Sequence, residues 1–348
     1  MSKFRRGAAD GRPKVSVLIP TYNYARFLPA AIESVLAQDF MDYELIISDD
    51  ASCDRSVEIL RAYAAQDSRI KIQLQSANLG MVANWNWCLK QARGEYIKYV
   101  FGDDQLASQQ ALRKMVGMLD NHPNAMLSVS ARNIIDEQSQ IFDVWDHLDS
   151  EGIHSGKDVG HRCLTGSINC IGEPSVVLFR AAQAVRGFDS RYRQIVDLEM
   201  WCHLLKRGDL IYTKEPLCMF RRHAHQQTEA NRAQQIGQKE HIMLFNDYFS
   251  YYVPKDDPLT AADRKNLFNR IYYTRKRRST AVEDVSVEQK LMSELGRKWY
   301  VTYWLLHRIT RPFANLRRAW RKYVLGALAE GIRPMPAALK TLRYDKAH

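Results

Sequence analysis

No two of the six cysteines form a CxxC pair, and none has a histidine at CxxH spacing. Cys53, Cys88, Cys163, Cys170, Cys202 and Cys218 are scattered, which argues against a zinc ribbon, a thioredoxin-type motif and a secreted disulfide framework. Buried free thiols in a reducing compartment are expected instead. Glycine and proline, 17 and 11 in 348 residues, are too few for a collagen-like or proline-rich fibre. Long apolar runs are missing as well. The most apolar stretch of the C-terminal region, Trp299 to Leu306, falls far short of the roughly 20 residues that span a bilayer, so no transmembrane helix is expected. The opening MSKFRRGAADGRPK is charged but has no apolar stretch behind it, so no signal peptide is expected. Internal repeats and low-complexity segments are absent.

What is present is globular chemistry. Hydrophobic residues at 46% and charged residues at 26% exclude a wholly disordered chain. The length predicts about two units and can bury a core without disulfides. The net charge of +11 is unevenly placed. Residues 1–263 hold 30 Lys and Arg against 33 Asp and Glu, whereas residues 264–348 hold 20 against 6. The body is therefore nearly neutral and the whole basic excess sits in the tail, unlike a uniformly basic polyanion binder.

From Val15 onward, short β-rich runs alternate with amphipathic stretches. Val15–Ile19 reads as a buried strand closed by Pro20, and Leu28–Ala37 as a helix. Strands are expected at Tyr43–Ser48, Ile70–Ile72 and Tyr96–Phe101, with helices from Ser56, over Met81–Gln91 and over Gln109–Asp120. That alternation predicts a parallel, doubly wound sheet, which binds ligands at the carboxyl ends of its strands. After Asn124 a strand is expected over Met126–Ser130, an irregular stretch over 136–172, and strands at 175–180 and 210–221 around a helix at Leu198–Lys206. From Ala230 the chain reads as helical.

Three polar clusters fall at strand ends. Pro20-Thr21-Tyr22-Asn23 can stack on a base and bond its edge, and is equally an ordinary turn. Asp49-Asp50-Ala51-Ser52-Cys53-Asp54 follows an apolar strand, where unpaired buried carboxylates are costly. Such acids can accept N–H bonds from a base or O–H bonds from a ribose, while Ser52 or Asp54 can simply cap the next helix. Phe101-Gly102-Asp103-Asp104 ends the fourth strand. Its carboxylates suit a hard divalent cation on a diphosphate, and the sequence also suits a Gly-Asp turn. Two Asp-Asp pairs at successive strand ends of one sheet are far more specific together than any one cluster.

In this order PTYN, ELIISDDASCD, Asn78-Leu79-Gly80, Gly94-Glu95-Tyr96-Ile97 and GDD resemble family 2 glycosyltransferases, over about residues 14–225. The resemblance implies a GT-A fold: an α/β, Rossmann-like, mostly parallel sheet flanked by helices, here followed by a helical, basic C-terminal extension. Residues 14–230 would be the GT-A domain, with 14–124 as the nucleotide-sugar half and 125–230 as the acceptor half, and 231–348 the extension. It implies transfer, with inversion, from a nucleotide-sugar (a UDP-sugar) to a saccharide or lipid-linked acceptor, in cell-surface polysaccharide or glycolipid synthesis. Pro20, Thr21, Tyr22, Asn23, Asp50, Asn86 and Asp103 would line the donor pocket, with Asp50 on the uracil. Asp103, Asp104 and His223 would hold Mn²⁺ or Mg²⁺ as a degenerate DxD site, with Phe101 in the place of that motif's first Asp.

Downstream, Asp197-Leu198-Glu199-Met200-Trp201 resembles the family's "ED" helix start, with Val196 in place of Glu. Asp197 would be the general base that takes the proton of the attacking hydroxyl, with Glu199 a weaker candidate. Arg221-Arg222-His223 resembles the "RxH" element, which puts Arg221 on the diphosphate. Glu173-Pro174-Ser175 and Gly187-Phe188-Asp189 match family landmarks and are read as architecture, and Trp85, Trp87 and Cys88 as core. A sugar-phosphate nucleotidyltransferase is the enzymatic rival, but PTYNYARF lacks its glycine-rich phosphate loop. A non-catalytic polyanion- or membrane-binding protein is the rival from another class, and no nucleic-acid motif supports nucleic acid as a partner.

The tail places Leu316, Trp320, Tyr323 and Ala327 at helical spacing opposite Arg317, Arg318, Arg321 and Lys322, behind Trp299, Tyr300, Tyr303 and Trp304. Aromatics interleaved with arginine suit a helix lying in an anionic membrane surface. The expected location is the cytoplasm, peripheral on the inner face of the plasma membrane.

Overall fold

The computed structural model describes residues 11–166, 168–224, 226, 228, 231, 236–253, 259–276, 289, 292–293 and 295–308. The chain divides into two compact units, Met1–Leu259 and Thr260–His348. The first unit runs past the expected boundary at 230, and takes in the helix Ile236–Tyr252.

The first unit is built on β1 (Val15–Thr21), β2 (Tyr43–Asp49), β3 (Ile70–Leu74), β4 (Tyr96–Tyr99), β5 (Gln105–Leu106), β6 (Ala125–Ile135), β7 (Ile141–Trp145), β8 (Gly152–His154), β9 (Val177–Arg180) and β10 (Asp209–Arg221). Their order in the sheet is β3-β2-β1-β4-β9-β6-β10-β5, with β7 beside β6 and β8 beside β10. Strands β3, β2, β1 and β4 run parallel, as do β6 and β10. β9 is inserted antiparallel between β4 and β6. Helices α1 (Leu28–Leu36), α2 (Ser56–Gln66), α3 (Met81–Gln91) and α4 (Ala111–Asp120) alternate with the strands, as the pattern predicts. β1 and β2 are buried along their whole length, the mark of strands covered on both faces.

Pro20 does not end β1 but lies inside it. The ladder to β4 stops at Leu18, whose carbonyl accepts the N–H of Val100. The edge where Pro20 lacks its N–H therefore faces no strand, and the proline costs no ladder bond.

The stretch 136–172 is more ordered than its polar sequence predicts. It holds β7, β8 and a helix, α5 (Gly156–Gly166). α5 has poor intrinsic propensity but buries Val159, Cys163 and Leu164. Gly160 lets the helix Ile236–Tyr252 approach, since a Cβ there would lie 2.1 Å from the Tyr252 ring. Tertiary packing thus overrides local preference. Five cysteines are buried free thiols, whereas Cys53 is exposed.

Between β4, β9 and α6 (Val196–Leu205) lies an aromatic core. Trp85 stacks on Phe101 with centroids 4.6 Å apart, and Phe188 meets Trp85 and Tyr99 edge-on. Trp85 and Cys88 are buried as expected.

The second unit contains the helix Ala261–Lys276 and a helical segment over 297–308. Phe268 packs against Tyr300 and Tyr303, and the Arg264 guanidinium lies 4.3 Å from the Trp299 ring centroid. Val301, Leu305 and Leu306 remain exposed. No described helix is long and apolar enough to cross a membrane. The basic stripe from Leu316 to Ala327 lies outside the described residues.

Candidate active site

The carboxyl ends of β1 and β2 carry two turns laced to each other. Asn23, at φ 56°, accepts the N–H of Cys53 on its side-chain oxygen at 2.8 Å and donates its own N–H to Ser52 Oγ at 2.8 Å. Asp54 accepts the N–H of Ala25 at 2.9 Å. Of the PTYN cluster, Pro20 and Thr21 are buried, while Tyr22, at 44% exposed, stands at the rim. Thr21 underlies Gly102, where a Cβ would lie 2.7 Å from Thr21 Oγ1. Only glycine lets the acid-pair loop settle there.

Asp50 has a different occupation from the one its sequence position implies. Its two carboxylate oxygens accept the N–H groups of Leu79 and Gly80 at 2.7 and 3.0 Å, and its carbonyl accepts from Asn78 at 3.0 Å. It holds the Asn78-Leu79-Gly80 turn in place. Asn86 is likewise taken. Its amide donates to Phe188 O and accepts from Phe188 N, both at 2.8 Å, which ties α3 to the Gly187 turn instead of facing a donor. Gly187 (φ 77°) must be glycine there, since a Cβ would come within 2.5 Å of Asn86 Oδ1.

At the end of β4 the two acids of the GDD turn separate. Asp103 Oδ2 lies 3.1 Å from His223 Nε2, and Tyr24 bonds the same carboxylate. The His223 ring packs on Phe27 (5.0 Å) and takes the edge of Tyr24 (5.8 Å). Asp104 is wholly buried, accepts the N–H of Arg221 at 2.9 Å, and has no hydrogen-bond partner on Oδ2. Burial, reinforced by the neighbouring Asp103 charge, holds its carboxyl well above the usual range.

Arg221 is not placed to meet a diphosphate. It is 1% exposed, donates Nε to Asp103 O at 2.8 Å, and bonds Asp136 O and Ser139 Oγ beneath the loop. Its guanidinium is a pin that fixes the acid pair.

Asp197 opens α6. Its Oδ1 accepts the N–H of Leu198 at 2.8 Å and its Oδ2 the side-chain amide of Asn169 at 3.1 Å. Burial, with the Glu173 charge adding to it, pushes its pKa up to about 7. That value suits a group that must take and release a proton near neutrality. Upstream of α6, Glu240 of the helix Ile236–Tyr252 accepts the N–H groups of Arg193, Gln194 and Ile195 at 2.6, 2.8 and 2.9 Å. A residue outside the expected domain boundary thus fixes the approach to Asp197. Glu199 is excluded as the base by its contacts. It is fully buried, pairs with both Arg186 nitrogens at 2.8 and 2.7 Å, and accepts from Tyr248.

Of the residues the sequence points to, the structure brings Asp103 and His223 together, while Asp197 stands apart with Asn169. Tyr24, beside PTYN, joins Asp103 as an aromatic next to the turn. Asn169 acts through a partner 28 residues along the chain, which no local motif reveals.

A mostly parallel sheet with acids at its carboxyl edge and a half-buried aspartate at the head of α6 is the GT-A architecture of nucleotide-sugar-dependent glycosyltransferases. Two solved structures share the fold: Staphylococcus aureus TarS residues 1–349 in complex with UDP-GlcNAc (TM-score 0.60, 15% identity, 94% of this chain and 95% of that chain) and the mannosyltransferase PcManGT from Pyrobaculum calidifontis in complex with GDP-Man and Mn²⁺ (0.55, 15%, 86% and 87%). The sequence profile of glycosyl transferase family 2 matches residues 16–185. The putative glycosyltransferase EpsE of Bacillus subtilis is 32% identical over 201 residues, 56% of this chain and 68% of its own. A β-1,3-glucosyltransferase of Campylobacter jejuni, named for the substrate GalNAc(5)-diNAcBac-PP-undecaprenol, is 41% identical over 97 residues, 28% of this chain and 31% of its own. The chain belongs to glycosyltransferase family 2, and is a glycosyltransferase.

Proposed function

We propose that the protein transfers a sugar, with inversion, from a UDP-sugar to a saccharide or lipid-linked acceptor of cell-surface polysaccharide or glycolipid synthesis. The observation that carries the reading is Asp197, a half-buried carboxyl with a pKa of about 7 at the mouth of α6. It accepts the proton of the acceptor hydroxyl as that oxygen attacks the anomeric carbon. Asn169 holds one carboxylate oxygen in place, so the side chain enters the reaction already aimed. Tyr22 and Asn23 form the lip on which the nucleotide rests, and Asp50 shapes the wall behind it through the turn at Gly80.

Asp103 and His223 fit a divalent cation, since a carboxylate oxygen and an imidazole nitrogen already converge at 3.1 Å. Asp104 supports the loop from below. No three His, Cys, Asp or Glu side chains converge among the described residues, so the diphosphate and water would complete the shell. When bound, the cation would neutralise charge on the departing diphosphate. The polysaccharide reading is supported by the name of the EpsE relative, and the lipid-linked acceptor by that of the Campylobacter relative. We assign the protein to the cytoplasmic face of the membrane, held by the basic tail beyond residue 308.

The test is a panel of nucleotide-sugars with Mn²⁺ or Mg²⁺, scored by nucleotide release. One UDP-sugar should be hydrolysed slowly in a metal-dependent way that EDTA stops. Neither release nor binding of any UDP-sugar would overturn the donor assignment.

A further inference from the structure

Arg132 lies in β6 with its side chain almost wholly buried, 3% exposed. Its Nε is 2.8 Å from Glu173 Oε2, and its Nη2 donates to Glu173 Oε1 at 3.3 Å. Trp145 is its direct cross-strand neighbour on β7, and the indole ring covers the guanidinium 5.3 Å from the centroid. Gly172 leaves the space below it, since a Cβ there would meet Arg132 Nη1 at 3.0 Å. Burying such a pair costs desolvation that a hydrophobic pair would avoid, so a buried pair is weak evidence for stability alone.

Its position gives it a second use. Glu173 follows Gly172, whose carbonyl accepts Trp201 Nε1 at 2.9 Å and, at 3.2 Å, the same Asn169 amide that bonds Asp197, and the Glu173 charge is felt by both Asp104 and Asp197. The groups that bear on Asp197 are Glu173 from the loop before β9, Arg132 from β6, the Asn169 amide, the Leu198 N–H and, on its own helix, Cys202. Glu173 disfavours the ionised aspartate, and Arg132 favours it.

We propose that Arg132 is a positioning residue for the transfer reaction: by pairing Glu173 beneath the Trp145 ring, it cancels the carboxylate charge facing Asp197 and keeps that base ready to accept a proton at neutral pH. The inference rests on the reading of Asp197 as the base. Arg132 itself touches neither substrate nor the reacting atoms.

The test uses the full chain with ¹³C-carboxyl aspartate, following the Asp197 signal against pH and assigning it by its loss in Asp197→Asn. Arg132→Gln should raise the titration midpoint by about one pH unit, and Glu173→Gln should lower it. Arg132→Lys should restore most of the wild-type midpoint, because it keeps the charge. The double variant Arg132→Gln/Glu173→Gln should return close to wild type. Nucleotide release with Mn²⁺ from the UDP-sugar that the panel selects should follow. At pH 6, Arg132→Gln should be roughly tenfold slower than wild type, recovering towards wild type above pH 8, which a merely structural lesion would not do.

A midpoint unmoved in folded Arg132→Gln overturns the proposal. If that variant does not fold, Glu173→Gln decides, and an unchanged or raised midpoint there overturns it. Full turnover by Asp197→Asn would instead sink the base assignment and leave the measured midpoints standing.

Discussion

The turns after β1 and β2 and the surroundings of Asp197 use their acids in opposite ways. At the turns Asp50 and Asp54 accept backbone N–H groups, and their charge goes into holding the turns in shape. Around Asp197, Glu173 is matched by the buried Arg132 and Glu199 by the more exposed Arg186, and Asp197 is left with an amide and one N–H. Turn-holding carboxylates fix the loops at the sheet edge. Paired carboxylates around one weakly satisfied acid build a proton acceptor, because what separates them is how much charge stays uncompensated.

The sharpest way to break that contrast is Asp197→Asn. Turnover should fall by ~10²-fold or more with donor affinity unchanged, as measured by nucleotide release and by calorimetry with the donor. An equal loss in affinity would make Asp197 a pocket residue. The same substitution carries a pH signature. A carboxyl raised to about 7 when folded holds a proton that the unfolded chain has released, so wild-type stability should decline as pH rises from about 4 through 7. Asp197→Asn should therefore melt several degrees above wild type at pH 8 and level with it at pH 4.

Next in size is the metal pair. Asp103→Asn and His223→Ala should each weaken metal-dependent donor binding by roughly tenfold or more, with melting temperature little changed. Metal dependence that survives in both would remove them from the site. Asn86→Ala sharpens the contrast from the other direction. Loss of two 2.8 Å bonds to Phe188 should cost on the order of 2 kcal/mol in thermal or denaturant unfolding, with donor affinity within about twofold of wild type. A large drop in affinity would return Asn86 to the pocket. The smallest effect should come from Asp54→Asn, which keeps an acceptor for the Ala25 N–H. Donor affinity should fall only a few-fold.

The alternation of β1 to β4 with helices, and the placing of acids at their carboxyl ends, could be read from the chain because each rests on local periodicity. The positions of Asp103 and Asp197, after a strand end and at a helix start, can be read for the same reason. Where the structure departs from local pattern, the cause is distance along the chain. Asn86 bonds Phe188, 102 residues away. The Arg221 guanidinium bonds the Asp103 carbonyl, 118 residues back. Helix α5 falls in a stretch that reads as irregular, because its stability comes from contacts with the helix Ile236–Tyr252 and not from its own propensity. Side chains whose meaning lies in a distant partner leave no trace in local spacing.

The place of β9 in the sheet has a consequence for how the protein is made. β4 and β6 follow each other closely in the chain, yet they do not touch; β9 lies between them and pairs with both. As the chain leaves the ribosome, the β4 edge, with Tyr96, Ile97 and Tyr99, has no partner until Val177–Arg180 emerges roughly 80 residues later. At about 5–20 residues per second, that edge stays open for on the order of 4–16 seconds. An open strand edge rich in aromatic and branched residues is a template for pairing with other chains. The nascent chain before Val177 is thus the stage at which this enzyme would most depend on a chaperone, and slowing translation before residue 177 should lower soluble yield.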